Sequence, residues 1–224
     1  MKYNSLIWAF LFSLPLFAWL PAIASSITSS SKITIVDDGA KNASFVKFRS
    51  QLLSAVKQRD KKFLQEATAD DIKTGLGAAT GWHALNEQWH NLSPDSSFWS
   101  RLERALKHAA HFDKESGEYE APAIVFDPAD GEKIEAAIWD KNSILRKSPS
   151  DSSKALRLLD CQLVTVLKPG DPAPIKAEWV EVKTRDGKTG FVKSANLLSP
   201  YDEYATFKKV KGKWRMTWFG VAGL

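Results

Sequence analysis

Read as a string of apolar and polar positions, the chain changes texture three times. An apolar run from Leu6 to Leu20, broken only by Ser13 and Pro15, follows Lys2 and is closed by Pro21 and the triplet Ala22-Ile23-Ala24. From Ala43 to about Phe112 the apolar residues recur at helical spacing. Phe45, Phe48, Leu52, Leu53 and Val56 fall on one face of a first helix. After a break at Asp60, Lys61 and Lys62, Phe63 and Leu64 open a short second helix. Gly75, Gly77 and Gly81 mark a turn region, and Trp82, Leu85 and Trp89 then line a third helix. The sequence Ser93-Pro94-Asp95-Ser96 is a start signal, with Asp95 or a neighbouring serine as N-cap. It predicts a fourth helix whose stripe is Phe98, Trp99, Leu102, Ala105, Leu106 and Ala109.

Beyond Gly117 the period shortens to two. Ala121 to Phe126 reads as a strand, and Asp127-Pro128-Ala129-Asp130-Gly131 as a turn by composition. Short apolar strands separated by turn signals continue to the end, as in a small barrel. Trp179, Val180 and Val182 alternate with charged residues as a half-buried strand does. Asp186-Gly187 supplies the positive φ of a tight hairpin turn. Gly190 is expected to bend the backbone so that Phe191 enters the core, with Trp179 also assigned there. The stretch Tyr201 to Phe219 reads as a further β-hairpin turned at Lys211-Gly212, with Phe207, Trp214, Met216 and Trp218 on its apolar side. It is too small to stand alone and must pack on its neighbours. The expected organisation is a signal peptide over 1–24, a tether over 25–42 with at most one short strand at Ile33 to Val36, a helical domain over 43–120, a strand module over 121–200 and the hairpin over 201–224.

Charge and composition add the compartment. A positive start, an apolar stretch and an A-x-A site make a secretory signal, with cleavage expected after Ala24 to leave 200 residues. No other apolar segment approaches a membrane span, and no cysteine follows the run to carry a lipid anchor. The expected location is therefore periplasmic or secreted, with no membrane span after cleavage. The formal charge of +5 is uneven. Ser25 to Glu132 carries 13 basic and 16 acidic side chains, a net of −3, whereas Lys133 to Leu224 carries 17 and 10, a net of +7. The second half attracts polyanions. Outside the cytoplasm the expected partners are acidic wall polymers, lipid headgroups or acidic proteins rather than nucleic acid. Cys161 is the only cysteine, so an internal disulfide is excluded, and its strand-like surroundings predict burial.

Residues Ile134 to Leu198 resemble the bacterial SH3 (SH3b) family. The stretch Trp139 to Ser150 resembles the family's opening L-N-V-R-x-x-P-S segment. Ser152 to Leu159 is similar to the segment leading into the family's second strand, and Gln162 to Leu167 to that strand itself. Glu178 to Val192 resembles the W-x-x-V … D-G-x-x-G-W-V hairpin, with Phe191 in place of the last Trp. Ser194 to Leu198 resembles the closing turn and strand. The expected fold is α+β: a helical N-terminal half and a C-terminal β-hairpin, read from the pattern, on either side of the small SH3-like β-barrel that the resemblance implies. An alternative folds the helices with Phe207 to Phe219 into a nuclear-transport-factor-like cone.

SH3 modules accompany wall hydrolases, so catalysis needs weighing. Cys161 has no histidine after it, and no G-x-S-x-G elbow occurs. His83 and His90 are seven apart; His108 and His111, expected on one helix face near Asp113 and Glu115, are three apart. No H-E-x-x-H pattern joins them, and no metal or other cofactor is expected. The expectation is a non-catalytic binding module for cell-wall polymer or an envelope protein. Its alternatives are a metal-dependent hydrolase in the helical half or a purely structural scaffold. Candidate ligand contacts are Trp139, Tyr201 and Tyr204 for stacking and Arg146, Arg185 and Lys188 for carboxylates, the three cations expected in or near loops.

Overall fold

The computed structural model describes residues 35–75, 79–123, 135–167, 177–199 and 202–221. The signal peptide, most of the 25–42 segment, the turn at Asp127–Gly131, the Pro-rich stretch at 168–176 and Tyr201 lie outside them. Four helices follow in chain order: α1 (Ala43–Gln58), α2 (Lys61–Ala67), α3 (Gly81–Gln88) and α4 (Ser97–Lys107). Among the described residues twelve strands accompany them: β1 (Thr68–Lys73), β2 (His111–Asp113), β3 (Glu118–Ala121), β4 (Glu135–Ile138), β5 (Ser143–Arg146), β6 (Ala155–Leu159), β7 (Gln162–Val166), β8 (Trp179–Thr184), β9 (Thr189–Lys193), β10 (Leu197–Leu198), β11 (Glu203–Val210) and β12 (Lys213–Val221).

Helices α1, α2 and α4 start where polar caps stop the backbone from fraying. The side chains of Asn42, Asp60 and Ser96 accept from the amides of Phe45, Phe63 and Phe98 at 3.2, 2.9 and 3.3 Å. Each satisfies a donor that has no partner within its helix. Arg59 ends α1 in the left-handed region at φ 57°. Ahead of α1, Asp37 holds Arg49 through both carboxylate oxygens and accepts from the amide of Ala110 at 2.9 Å. The segment just before the first helix is thereby fastened to the body.

A five-stranded sheet of order β1-β12-β11-β3-β2 carries the helices on one face. The C-terminal hairpin is its centre: β11 pairs antiparallel with β12 and β3, while β1 runs parallel to β12. The shared core joins Phe45, Phe48 and Leu52 of α1 and Phe98, Trp99 and Leu102 of α4 to Phe207, Met216 and Phe219 of the hairpin. Ring pairs tie the layers together, with Phe45 stacked on Tyr119 at 4.3 Å and Phe98 edge-on to Phe219 at 4.9 Å. Helices and hairpin therefore bury one another's apolar faces.

The remaining seven strands form a second sheet, β10-β4-β7-β8-β9-β5-β6. It has its own core of Ile138, Leu145, Leu159, Val164, Val182 and Val192, among others. In the chain it is an insertion, because β3 and β11 on either side of it pair with each other, Ala121 opposite Ala205.

This architecture corrects the expected fold class in two places. The N-terminal half is mixed rather than helical, since β1, β2 and β3 arise within it; β1 and β3 pair with the C-terminal hairpin and β2 with β3. The strand module is an open sheet: among the described residues its end strands β6 and β10 do not pair, so no closed barrel forms. A period of two is common to open and closed sheets, and closure depends on an edge contact that no local pattern encodes. The fourth helix also stops at Lys107, so His108 caps it in extended backbone while His111 lies in β2. The two histidines do not share a helix face.

The two lobes meet at α4. Arg104 donates to the carbonyl of Leu197 on β10 and lies 3.2 Å from the Asp202 carboxylate, while Arg101 pairs with Glu203 at the start of β11, within its own lobe. Burial holds the Asp202 carboxyl above its ordinary range despite Arg104 and Arg101 beside it. His108 of this junction lies edge-on to the Trp139 ring at 4.4 Å.

Candidate functional site

The inner and outer faces of the seven-stranded sheet arise from strict alternation. On β8, Val180, Val182 and Thr184 are buried, which turns Trp179 and Glu181 outward and leaves them half-buried. On β9, Gly190 and Val192 are buried, which turns Phe191 and Lys193 to the same outer face. Trp179 stands opposite Lys193, Glu181 opposite Phe191, and Phe191 opposite Arg146 of β5. The expected burial of Trp179 and Phe191 is thus corrected, because the valines between them have the parity of the core.

Gly190 has a different task from the bend expected of it. A Cβ at that position would lie 2.6 Å from the carbonyl oxygen of Arg146 and 2.8 Å from Cγ of Leu145. Only hydrogen lets β5 approach β9 this closely, and the approach sets Arg146 beside Phe191. The Lys193 ammonium lies 5.4 Å from the Trp179 ring centroid, within cation–π range. It also pairs with Asp151 at 2.7 Å, while Arg146 donates to the carbonyl of Ser153 at 2.8 Å. Both partners sit in the loop between β5 and β6. That loop is stitched by its own hydroxyls: Ser153 Oγ accepts from the amide of Ser148 at 2.9 Å and contacts the Ser148 hydroxyl at 2.8 Å. The result is an aromatic surface flanked by two positioned cations, with Glu181 between them.

The six sequence candidates do not converge on one groove. Arg146 belongs to the outer face, on strand β5 rather than in a loop. Arg185 and Lys188 are exposed at the β8–β9 turn, where Lys188 Nζ reaches the carbonyl of Leu156 at 3.4 Å. Trp139 is half-buried against His108 at the lobe junction. Tyr204 lies on the other sheet, stacked on Trp218 at 5.7 Å. Burial, with Glu120 and Glu118 close by, raises its hydroxyl pKa. Tyr201 lies outside the described residues. Trp179, Phe191 and Lys193 are the members that the sequence pattern left in the core or unassigned. Their shared parity with Glu181 was the available signal.

Cys161 is half-buried in the turn between β6 and β7, at φ 37°, with Sγ 3.5 Å from the carbonyl of Trp139. It is in neither the strand nor the burial expected for it. Burial and the neighbouring Arg104 and Lys107 push the pKa of His108 down to about 4. His111 is 3.3 Å from Asp38, and no group of three or more His, Cys, Asp or Glu among the described residues is arranged to hold a metal ion. No helix among the described residues is long and apolar enough to cross a membrane. No family model, curated protein or solved structure matches the chain.

Proposed function

We propose that this chain is a non-catalytic exported binding protein that recognises acidic cell-envelope material, wall polymer or envelope protein, through the outer face of its seven-stranded sheet. One observation carries the reading: two large aromatics, Trp179 and Phe191, stand outside the core on the face that also holds Arg146 and Lys193. Aromatic faces stack on sugar rings or apolar side chains, and a guanidinium meets a carboxylate in a two-point geometry. The signal-like N-terminus and the net of +7 over Lys133 to Leu224 support the compartment and the sign of the partner's charge.

The test is retention of the purified chain on isolated envelope, washed at rising salt. Charge attraction of this kind is screened over about 8–10 Å at physiological ionic strength, so retention should fall as salt rises. Arg146→Glu should lower it further at every salt concentration. Retention that ignores both salt and Arg146→Glu would remove this face from the account.

A further inference from the structure

A second concave site lies in the other lobe. The tip of the β11–β12 hairpin folds back over α1 and α2 and leaves an open cleft of about 540 Å³. Its apolar floor is Phe48, Phe63 and Trp214. Trp214 is fixed from three sides. Its Nε1 donates to Ser44 Oγ at 3.0 Å, its ring lies edge-on to Phe45 at 5.1 Å, and Lys209 Nζ sits 5.3 Å from its centroid. The rim is cationic on both walls, with Lys47 on the α1 side and Lys209, Lys213 and Arg215 on the hairpin side, against the single carboxylate of Glu66.

The rim cations differ in their pairing from several others on the surface. Several surface cations elsewhere are matched: Lys41 with Asp38, Lys107 with Glu103, Arg157 with Asp186, Lys193 with Asp151. Among the described residues none of the four rim cations is in an ion pair, and Lys209 rests on an aromatic ring instead. Four unmatched cations around one cleft repel one another, a cost that a bound anion would relieve. Phe48 is a buried member of the lobe's core and Phe63 and Trp214 pack half-buried against it, so the cleft opens onto the edge of that core between the cations.

We infer that this cleft is a binding site for an acidic protein segment with an aromatic or large aliphatic anchor. The anchor fills the Phe48–Phe63–Trp214 floor, and flanking Asp or Glu side chains meet Lys47 on one wall and Lys209 and Lys213 on the other. The aromatic edge of the cleft suits an apolar side chain, which a repeating phosphate polymer lacks. Charge on both walls matches acids on both sides of one anchor.

The probe is a fluorescently labelled peptide with one Phe between two short runs of Asp and Glu, titrated into the full chain and read by anisotropy. Its controls are the same peptide with Ser for Phe, polyphosphate, and vesicles containing an anionic phospholipid. The Phe peptide should bind about tenfold more tightly than the Ser peptide. Lys213→Glu with Lys47→Glu should weaken it about tenfold or more, with an unchanged thermal melt, and Lys209→Glu should act in the same direction. Trp179→Ala should leave it unchanged, so this site stands or falls separately from the face on the seven-stranded sheet. Equal binding of the Phe and Ser peptides, preference for polyphosphate or vesicles, or indifference to these charge reversals would each overturn the assignment.

Discussion

The junction between the lobes makes His108 a pH-sensitive element whose effect can be worked out in advance. The ring is enclosed by Trp139 from the inserted sheet and by Arg104 and Lys107 of its own helix. Burial, then the two cations, lowers its pKa from 6.5 to about 4. In the unfolded chain the same imidazole takes a proton near the ordinary value. Between these limits the unfolded state binds more protons, so stability rises with pH. The contribution is complete above about pH 6.5 and is lost progressively as pH falls to about 4. A fall of that size corresponds to a ceiling of about 3 kcal/mol at ~1.4 kcal/mol per pH unit. The ring keeps partial contact with water, which screens the cations and cuts the figure to about 1–2 kcal/mol. Urea unfolding of the wild type and His108→Gln from pH 4.5 to 7.5 reads the difference directly. Asp202 and Glu120, whose pKa values burial raises, titrate in both proteins and drop out of the comparison. The wild type should lose about 1–2 kcal/mol more than the variant on acidification. Parallel pH profiles for the two proteins would refute the reasoning.

Gly190→Ala places a methyl 2.6 Å from the Arg146 carbonyl oxygen and should cost about 1–3 kcal/mol in chemical denaturation; a neutral result would mean that β5 and β9 do not approach as described. The protein recovered from its native host should begin within a residue or two of Ser25, and N-terminal sequencing that finds Met1 on the soluble protein would contradict export by a cleaved signal.

The legible part of the sequence was local. The stripes of α1 and α4 and the cap of α4 arise from the spacing of Phe45, Phe48, Leu52, Phe98 and Leu102 and from Ser96, whereas the Asn42 cap of α1 was not read from the sequence. The last hairpin arises from Lys211 and Gly212, which turn at φ 49° and 78°. The hidden part depends on partners far along the chain. The β1 strand, Thr-Ala-Asp-Asp-Ile-Lys, carries two exposed acids and little strand propensity, and it exists because β12 pairs with it from more than a hundred residues away. The β2 strand has three residues and is held by β3. Whether seven strands close or stay open is likewise a contact between chain-distant edges. The outer aromatic face was within reach, since Trp179 shares parity with Glu181 and Phe191 with Lys193. The assumption that a large aromatic in a small module belongs to the core outweighed it. The hairpin-tip cleft announces itself only as five cations, Lys208, Lys209, Lys211, Lys213 and Arg215, around one Trp. Its floor comes from Phe48 and Phe63, well over a hundred residues earlier.

Replacement of Trp179 by alanine bears most directly on the proposed function. The ring is half-buried on the outer face and rests against Lys193 rather than in the valine core. Its loss should therefore cost stability by no more than about 1–2 kcal/mol, below the roughly 3–5 kcal/mol typical of truncating a core aromatic. Retention of the purified variant on isolated cell envelope, measured beside the wild type at low and physiological salt, is the decisive reading. The account predicts a folded Trp179→Ala protein whose retention falls about tenfold or more. A folded variant retained as well as the wild type, or one that fails to fold because the ring was holding the core, would contradict it.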